Sequence, residues 1–426
     1  MPVSPPSLDE DRRRLAAALV LYLGLVIVVV TLVPFDFTRP AGFRLVGFRG
    51  LADLFANVLF FVPLGFFVAF GGRGRPVVVA FAVSLSVELL QQLLPGRAPS
   101  LIDVATNTAG GWLGGVIETT LAGALERNRR GGVFALDLPL MGLVYLAVPL
   151  LWLSGLAASG EPGREWLALL VIVAGLPVWS AVTRHHLAPR GSTGWTGPAL
   201  AAGWTIVGLG PGWFGRPGFV AAAALLAGVA VRLLADLLRW REREGSRYEL
   251  LTVRRVMLPL VAYLVLVAVW PMEQLGATWR WPLALATLPG GSGQTAILRL
   301  LELTAATTVL GYLVAEWGGR ANRGAAADRK LGALLALGAG IGLVALRGCF
   351  RSLPVTPLEL VLVMAAPIFG AVLYWRQRSF VKAIVAARSA PTPLSAPPAP
   401  RSGGTARLPV PMAAPTPRRS GHSLRR

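Results

Sequence analysis

VELLQQLLPGRAPSLIDVATN, residues 87–107, places Glu88, Gln91, Gln92, Arg97, Asp103 and Asn107 between two long apolar runs. The Pro95-Gly96-Arg97 step inside it reads as a tight turn. The runs on either side are about as long as the ~20 residues a helix needs to cross a bilayer. The stretch therefore reads as the tip of a helical hairpin, with a polar surface turn joining two membrane helices.

Working outward, apolar runs of that length recur along all but the last part of the 426-residue chain. Hydrophobic residues make up 54% of the sequence and charged residues 15%, too little charge to cover a soluble surface of this size. In hydrocarbon only helices and closed barrels satisfy their backbone groups, and barrel strands would be shorter and alternating. The sequence thus predicts an all-α, polytopic helical membrane protein. Twelve spans are expected, at residues 15–33, 51–70, 76–94, 101–122, 134–154, 165–183, 197–211, 217–238, 256–272, 295–315, 330–347 and 357–375. The seventh is short and contains Gly and Pro. From residue 376 the composition shifts to Pro, Ala, Ser and Arg, with too little apolar periodicity to fold, so a disordered basic tail is expected over 376–426.

A net charge of +20 would suggest nucleic-acid binding in a soluble chain. Here the basic residues concentrate in alternate inter-span segments: Arg12, Arg13 and Arg14; Arg73 and Arg75; Arg127, Arg129 and Arg130; and the tail. That alternation is the signature of cytoplasmic loops and predicts both termini inside, with no nucleic-acid partner. The run DRRR before the first span, without a small-residue cleavage site, reads as an uncleaved signal anchor. Cys349 is the single cysteine, which excludes an intramolecular disulfide and a cysteine metal site.

A weak internal repeat is visible. LVPFD after the first span is matched by VWPME after the ninth, and PLGFFVAFGGR in the second by VLGYLVAEWGGR in the tenth. SLIDVATNTAGGWLGG matches PLELVLVMAAPIFGA, pairing Asp103 with Glu359 and Gly114 with Gly370. The expected organisation is a cytoplasmic N-terminus (1–14), a four-helix unit (15–122), a four-helix insert (123–255), a diverged second unit (256–375) and the tail. The second unit lacks counterparts of Glu88, Gln91 and Asn107, so any site belongs to the first.

In that first unit helical spacing gathers the polar residues into stripes. Asp53 and Asn57 are four apart; Ser84, Glu88, Gln91 and Gln92 share a face; Asp103, Asn107, Gly110 and Gly114 share another. With the N-terminus inside, Asp53, Asn57, Glu88, Arg97, Asp103 and Asn107 converge on the outer half of the membrane. Glu88 then lies roughly 9 Å from the end of its helix at ~1.5 Å per residue. A carboxylate facing lipid at mid-bilayer costs ~2.5–3.5 kcal/mol. Asp53, Glu88 and Asp103 are therefore expected to face one another or a water-filled cleft, with Arg97 as counter-charge bridging two carboxylates. Gly110, Gly111, Gly114 and Gly115 permit close helix packing beside the stripe. Two readings stand: a polar network that holds the helices together, and an outward-facing cleft that binds a ligand.

PFDF after the first span, DLFANVLFFVPLG in the second and SVELLQQLLPGRAPSLIDVATNTAGGWLGG across the third and fourth resemble the VanZ-like family of bacterial membrane proteins. The resemblance covers about residues 15–122 and reaches 256–375 only as a degenerate echo. It implies a bacterial plasma-membrane protein with a cell-envelope role, in a family linked to low-level resistance to the glycopeptide teicoplanin. It implies no biochemical mechanism.

The reading that follows is a non-enzymatic envelope protein binding a lipid headgroup or cell-wall-related ligand. The candidate residues are Arg97, Glu88, Asp103, Asn107, Asn57, Asp53 and Gln91, with Arg97 on an anionic group and no catalytic residue assigned. Membrane lipids are the expected partners, and no cofactor or metal is expected. The alternatives are a transporter or lipid flippase, and a membrane hydrolase or transferase using Glu88 or Asp103 as base. His185 and His186 diverge by about 100° on a helix and do not suit a shared metal. GPGWFG at 210–215 has the letters of a nucleotide loop but no preceding strand. Arg232 and Asp236 are spaced as a helix-face ion pair.

Overall fold

The apolar runs fold as helices because within hydrocarbon each backbone N–H must find a carbonyl in its own segment. The computed structural model describes residues 8–32, 35–38, 47, 50–72, 75–95, 97, 99–127, 131–158, 161, 163–187, 194–213, 216–241, 248–270, 272, 276, 278–283, 293–320, 325–350 and 354–389. Among these, twelve α-helices follow in order: α1 (Leu8–Leu32), α2 (Leu51–Phe70), α3 (Pro76–Gln91), α4 (Leu101–Arg127), α5 (Gly131–Ala158) and α6 (Glu165–Val182). Then come α7 (Thr196–Trp213), α8 (Pro217–Arg241), α9 (Tyr248–Val269), α10 (Gly293–Arg320), α11 (Ala325–Arg347) and α12 (Pro357–Ser389). One π-helical turn, Thr183–Leu187, extends α6.

Nine of the described helices are long and apolar enough to cross a membrane. The other three are α3, with 16 residues, α4, which carries the polar stripe, and α7, rich in Gly and Pro. The protein is a multi-pass helical membrane protein. Helix ends fall within about five residues of the expected ones except at the starts of α1 and α9, which begin at Leu8 and Tyr248 rather than at 15 and 256, and at the end of α12. There the helix runs to Ser389, beyond residue 376 where composition suggested the tail begins. The reason is packing: Phe380 and Val381 are buried, Phe380 meets Phe70 edge-on at 5.5 Å, and Gln377 accepts a hydrogen bond from the Tyr145 hydroxyl at 2.9 Å. The rest of the tail, 390–426, lies outside the described residues.

Within the first four helices α2 packs on α4 and α3, α3 on α4, and α1 on α2 and α3. The same pairings recur among α9, α10, α11 and α12. Helix α5 is buried along residues 140–158 and packs against α10 and α12, while α1 also packs on α12 and α2 on α7. The closest approaches are made by glycine. A Cβ on Gly65 would overlap the backbone of Gly111, and one on Gly114 would overlap the carbonyl of Val62. Backbone contact of this kind is what small residues supply when lipid offers no hydrophobic drive between helices.

Candidate functional site

Four helix ends converge on one place. Thr31 is in the last turn of α1, Asp53 and Asn57 open α2, Glu88 and Gln91 close α3, and Asp103 and Asn107 open α4. Between them lies a cavity of about 240 Å³, lined by those side chains and by Arg97. All seven residues singled out by sequence thus sit around one cavity. Leu156 of α5 and Leu298 of α10 complete an apolar wall, so helices outside the first unit also shape the cavity.

Part of the lining holds the hairpin together. The Ser100 N–H donates to Glu88 Oε2 at 2.8 Å, tying the end of α3 to the start of α4. Ser100 Oγ then accepts from the Asp103 N–H at 3.2 Å, an N-cap for α4. Asn107 Nδ2 donates to Ser84 Oγ at 2.8 Å, and Gln91 Nε2 to the carbonyl of Thr31 at 3.1 Å. Ser100 and Thr31 were not anticipated as part of this group. Thr31 contributes only a main-chain carbonyl, which leaves no mark in a sequence. Glu88→Ala would leave the Ser100 N–H buried without its acceptor, so a loss of about 1–3 kcal/mol is expected. Glu88→Gln keeps an oxygen there. Thermal unfolding in detergent should therefore show a drop for the alanine variant and little for glutamine.

The rest of the lining is not used in this way. Asp53 and Asn57 make no hydrogen bond or ion pair among the described residues, and the Asn57 Nδ2 is buried without a partner. Asn107 is 6% exposed, and its Oδ1 is also buried and unpartnered. Arg97 does not bridge two carboxylates as expected: it is exposed and forms no ion pair among the described residues. It lies beyond the end of α3, where water can solvate the guanidinium without help from a carboxylate. Gln92 falls in the turn after α3 and is not in the lining.

A second polar cluster joins distant segments. Arg164, fully buried just before α6, pairs with Glu302 in α10 and with Glu161 at 3.0 Å, and Arg299 pairs with Glu161. The Tyr263 hydroxyl of α9 donates to Glu302 Oε1 at 2.5 Å. Every charge here has an opposite charge beside it, which identifies the cluster as a clasp between the α5–α6 connection and α9–α10. Sequence reading missed it because the Arg164–Glu302 partners are 138 residues apart.

The remaining sequence features are local. His185 stacks on Tyr248 at 3.7 Å, and Arg232 pairs with Asp236 at 3.1 Å while donating to the carbonyl of Gly194. Among the described residues there is no group of three or more His, Cys, Asp or Glu side chains placed to hold a metal. Residues 16–121 match the family model described as VanZ/LLP1. No curated protein and no solved structure matches the chain.

Proposed function

Starting from residues 16–121 as a VanZ-like unit of a multi-pass membrane protein, we propose that the cavity at its helix ends is a ligand site facing the outer side of the bacterial plasma membrane. It takes a lipid headgroup or a cell-wall-related ligand, in a cell-envelope role. The observation that carries this reading is the pair of buried, unpartnered amide atoms, Asn57 Nδ2 and Asn107 Oδ1, on the wall of a polar cavity. A buried donor or acceptor without a partner costs about 1–3 kcal/mol, a cost that a bound polar ligand removes. In the Arg164 cluster, by contrast, every charge has an opposite charge beside it.

The place of the cavity supports a binding role over carriage across the bilayer. Its polar residues lie at the ends of α1 to α4, whereas transporter sites sit near the midplane at broken helices. The cavity, of about 240 Å³, has room for a polar headgroup.

The test uses the residues with no structural partner. Asp53→Asn with Asn57→Ala should leave folding unchanged while removing lipid retained through purification, read by native mass spectrometry. It should also fail to complement the envelope phenotypes of a deletion strain. Full lipid retention together with full complementation by this double variant would refute the site.

A further inference from the structure

Helices α9–α12 repeat the packing of α1–α4 and so show what the same frame does with other side chains at the cavity positions. Gly65 abuts Gly111, and Gly114 abuts Val62 and Phe66; Gly311 abuts Pro367, and Gly370 abuts Thr308 and Tyr312. One shift in numbering carries the α2 members of these contacts onto α10, and another carries the α4 members onto α12. Phe35 and Met272, with φ of 64° and 60°, are the non-glycine residues of positive φ among those described. One helical turn before them stand Thr31 and Ala268, whose carbonyls accept from Gln91 Nε2 at 3.1 Å and from Arg347 Nε at 2.8 Å. That pair of bonds carries the end of α3 onto the end of α11.

The same shifts place Leu303 where α2 has Asn57, and Val363 where α4 has Asn107. Both are almost fully buried, so the frame closes there on apolar packing. Ser84, which accepts from Asn107 Nδ2 at 2.8 Å, has Gly340 as its counterpart, and that glycine lies against Leu360 and Met364 of α12. Arg299 stands at the place of Asp53 and pairs with Glu161, while Arg347 pairs with Glu359 at 2.6 Å. Asn57 and Asn107 are therefore not what the frame needs in order to pack. In α1–α4 they leave Nδ2 and Oδ1 buried without a partner on the cavity wall, a cost that leucine and valine avoid.

We propose that Asn57 and Asn107 are recognition residues for a hydroxyl-bearing headgroup, a small polyol seated between the two amides with a further hydroxyl on Asp53. The ligand has to accept from Asn57 Nδ2 and donate to Asn107 Oδ1, and a hydroxyl does both. A primary ammonium only donates, and a quaternary ammonium does neither. Asp53, which makes no hydrogen bond or ion pair among the described residues, accepts from the next hydroxyl of the same polyol. Arg97, in the exposed part of the lining, meets the phosphate that follows it. The ligand chemistry is that of a phosphoglycerol group, carried by a lipid or free in solution. This deepens the proposed function and rests on its binding site.

The test uses the full chain in detergent, titrated with short-chain phosphatidylglycerol, phosphatidylethanolamine, phosphatidylcholine and glycerol phosphate, and read by native mass spectrometry. Phosphatidylglycerol is expected to bind about tenfold tighter, or more, than the other two lipids. Asn57→Leu with Asn107→Val, which copies α9–α12, is expected to weaken that binding about tenfold or more without lowering the unfolding temperature. The Ser84 hydroxyl left behind can turn to a carbonyl of its own preceding turn. Should the double variant not fold, Asn57→Leu alone decides, with the same loss expected. Glycerol phosphate binding as tightly as the lipid supports a soluble source, and its failure beside bound phosphatidylglycerol supports the membrane as the source. Equal binding of the three lipids, all lost in the variant, overturns the hydroxyl assignment while the site itself stands. Unaltered phosphatidylglycerol binding in the folded variant, or absence of binding by every probe, overturns both.

Discussion

Gly65→Ala is expected to lower stability by about 3 kcal/mol, although it adds a single methyl group. The helix itself would welcome the change, since alanine is favoured over glycine by about 1 kcal/mol in a helix interior. The added Cβ, however, would fall on the carbonyl oxygen and Cα of Gly111 in α4. Backbone cannot rotate out of the way as a side chain can. Helices α2 and α4 would have to separate along their whole contact, opening the cavity walls at the same time. Gly111→Ala should behave alike, because its Cβ would meet Ala80 of α3. Gly24→Ala in α1 is the control, with nothing within 4 Å, and should be neutral or slightly stabilising. Unfolding temperatures in detergent, followed by tryptophan fluorescence, check all three. A Gly65→Ala protein as stable as the Gly24→Ala control would refute backbone contact between α2 and α4.

Glu302→Leu is expected to cost more still, about 3–5 kcal/mol, because it strands a buried arginine. Arg164 and Glu302 are both fully buried, so the guanidinium left behind would have only Glu161, which Arg299 shares. Tyr263 would lose its acceptor as well. Removing both partners tells whether the loss is the charge or the packing. Arg164→Met with Glu302→Leu leaves no stranded charge and should recover much of the deficit. Denaturation of the single and double variants provides the comparison. A double variant as unstable as the sum of the two single variants would show that the pair contributes packing rather than charge neutralisation.

How far the fold was legible depended on whether the signal was local. The start and end of α2 at Leu51 and Phe70 coincide with those expected from the apolar run between Gly50 and Gly71. The end of α12 did not, because RQRSFVKAIVAARS reads as basic tail unless Phe380 and Val381 are recognised as a buried stripe. The candidate site was legible because Asp53, Asn57, Glu88, Gln91, Asp103 and Asn107 are polar residues at helical spacing inside apolar runs. Their mutual approach was legible from the alternation of helix direction. The contribution of Leu156 and Leu298 was not, since nothing local says that α5 and α10 stand beside that hairpin. Glu302 did carry a signal, a carboxylate within an apolar helix, but its partner lies far away in sequence. The expected pairing of Arg97 failed for a related reason: proximity in sequence to two carboxylates did not decide between a bridge and water.

The burial of α5 has a consequence for how the protein is made. Its residues Leu150, Leu151, Trp152 and Leu153 are shielded by neighbours that include α10, which leaves the ribosome more than a hundred residues later. Chains fold as units from the N-terminus during synthesis, so the α1–α4 bundle can close early. Helix α5 must instead wait in lipid with that face bare. The apolar wall that Leu156 and Leu298 lend to the cavity is then among the last parts to be put in place. A nascent chain would hold the polar half of its cavity well before it held the whole.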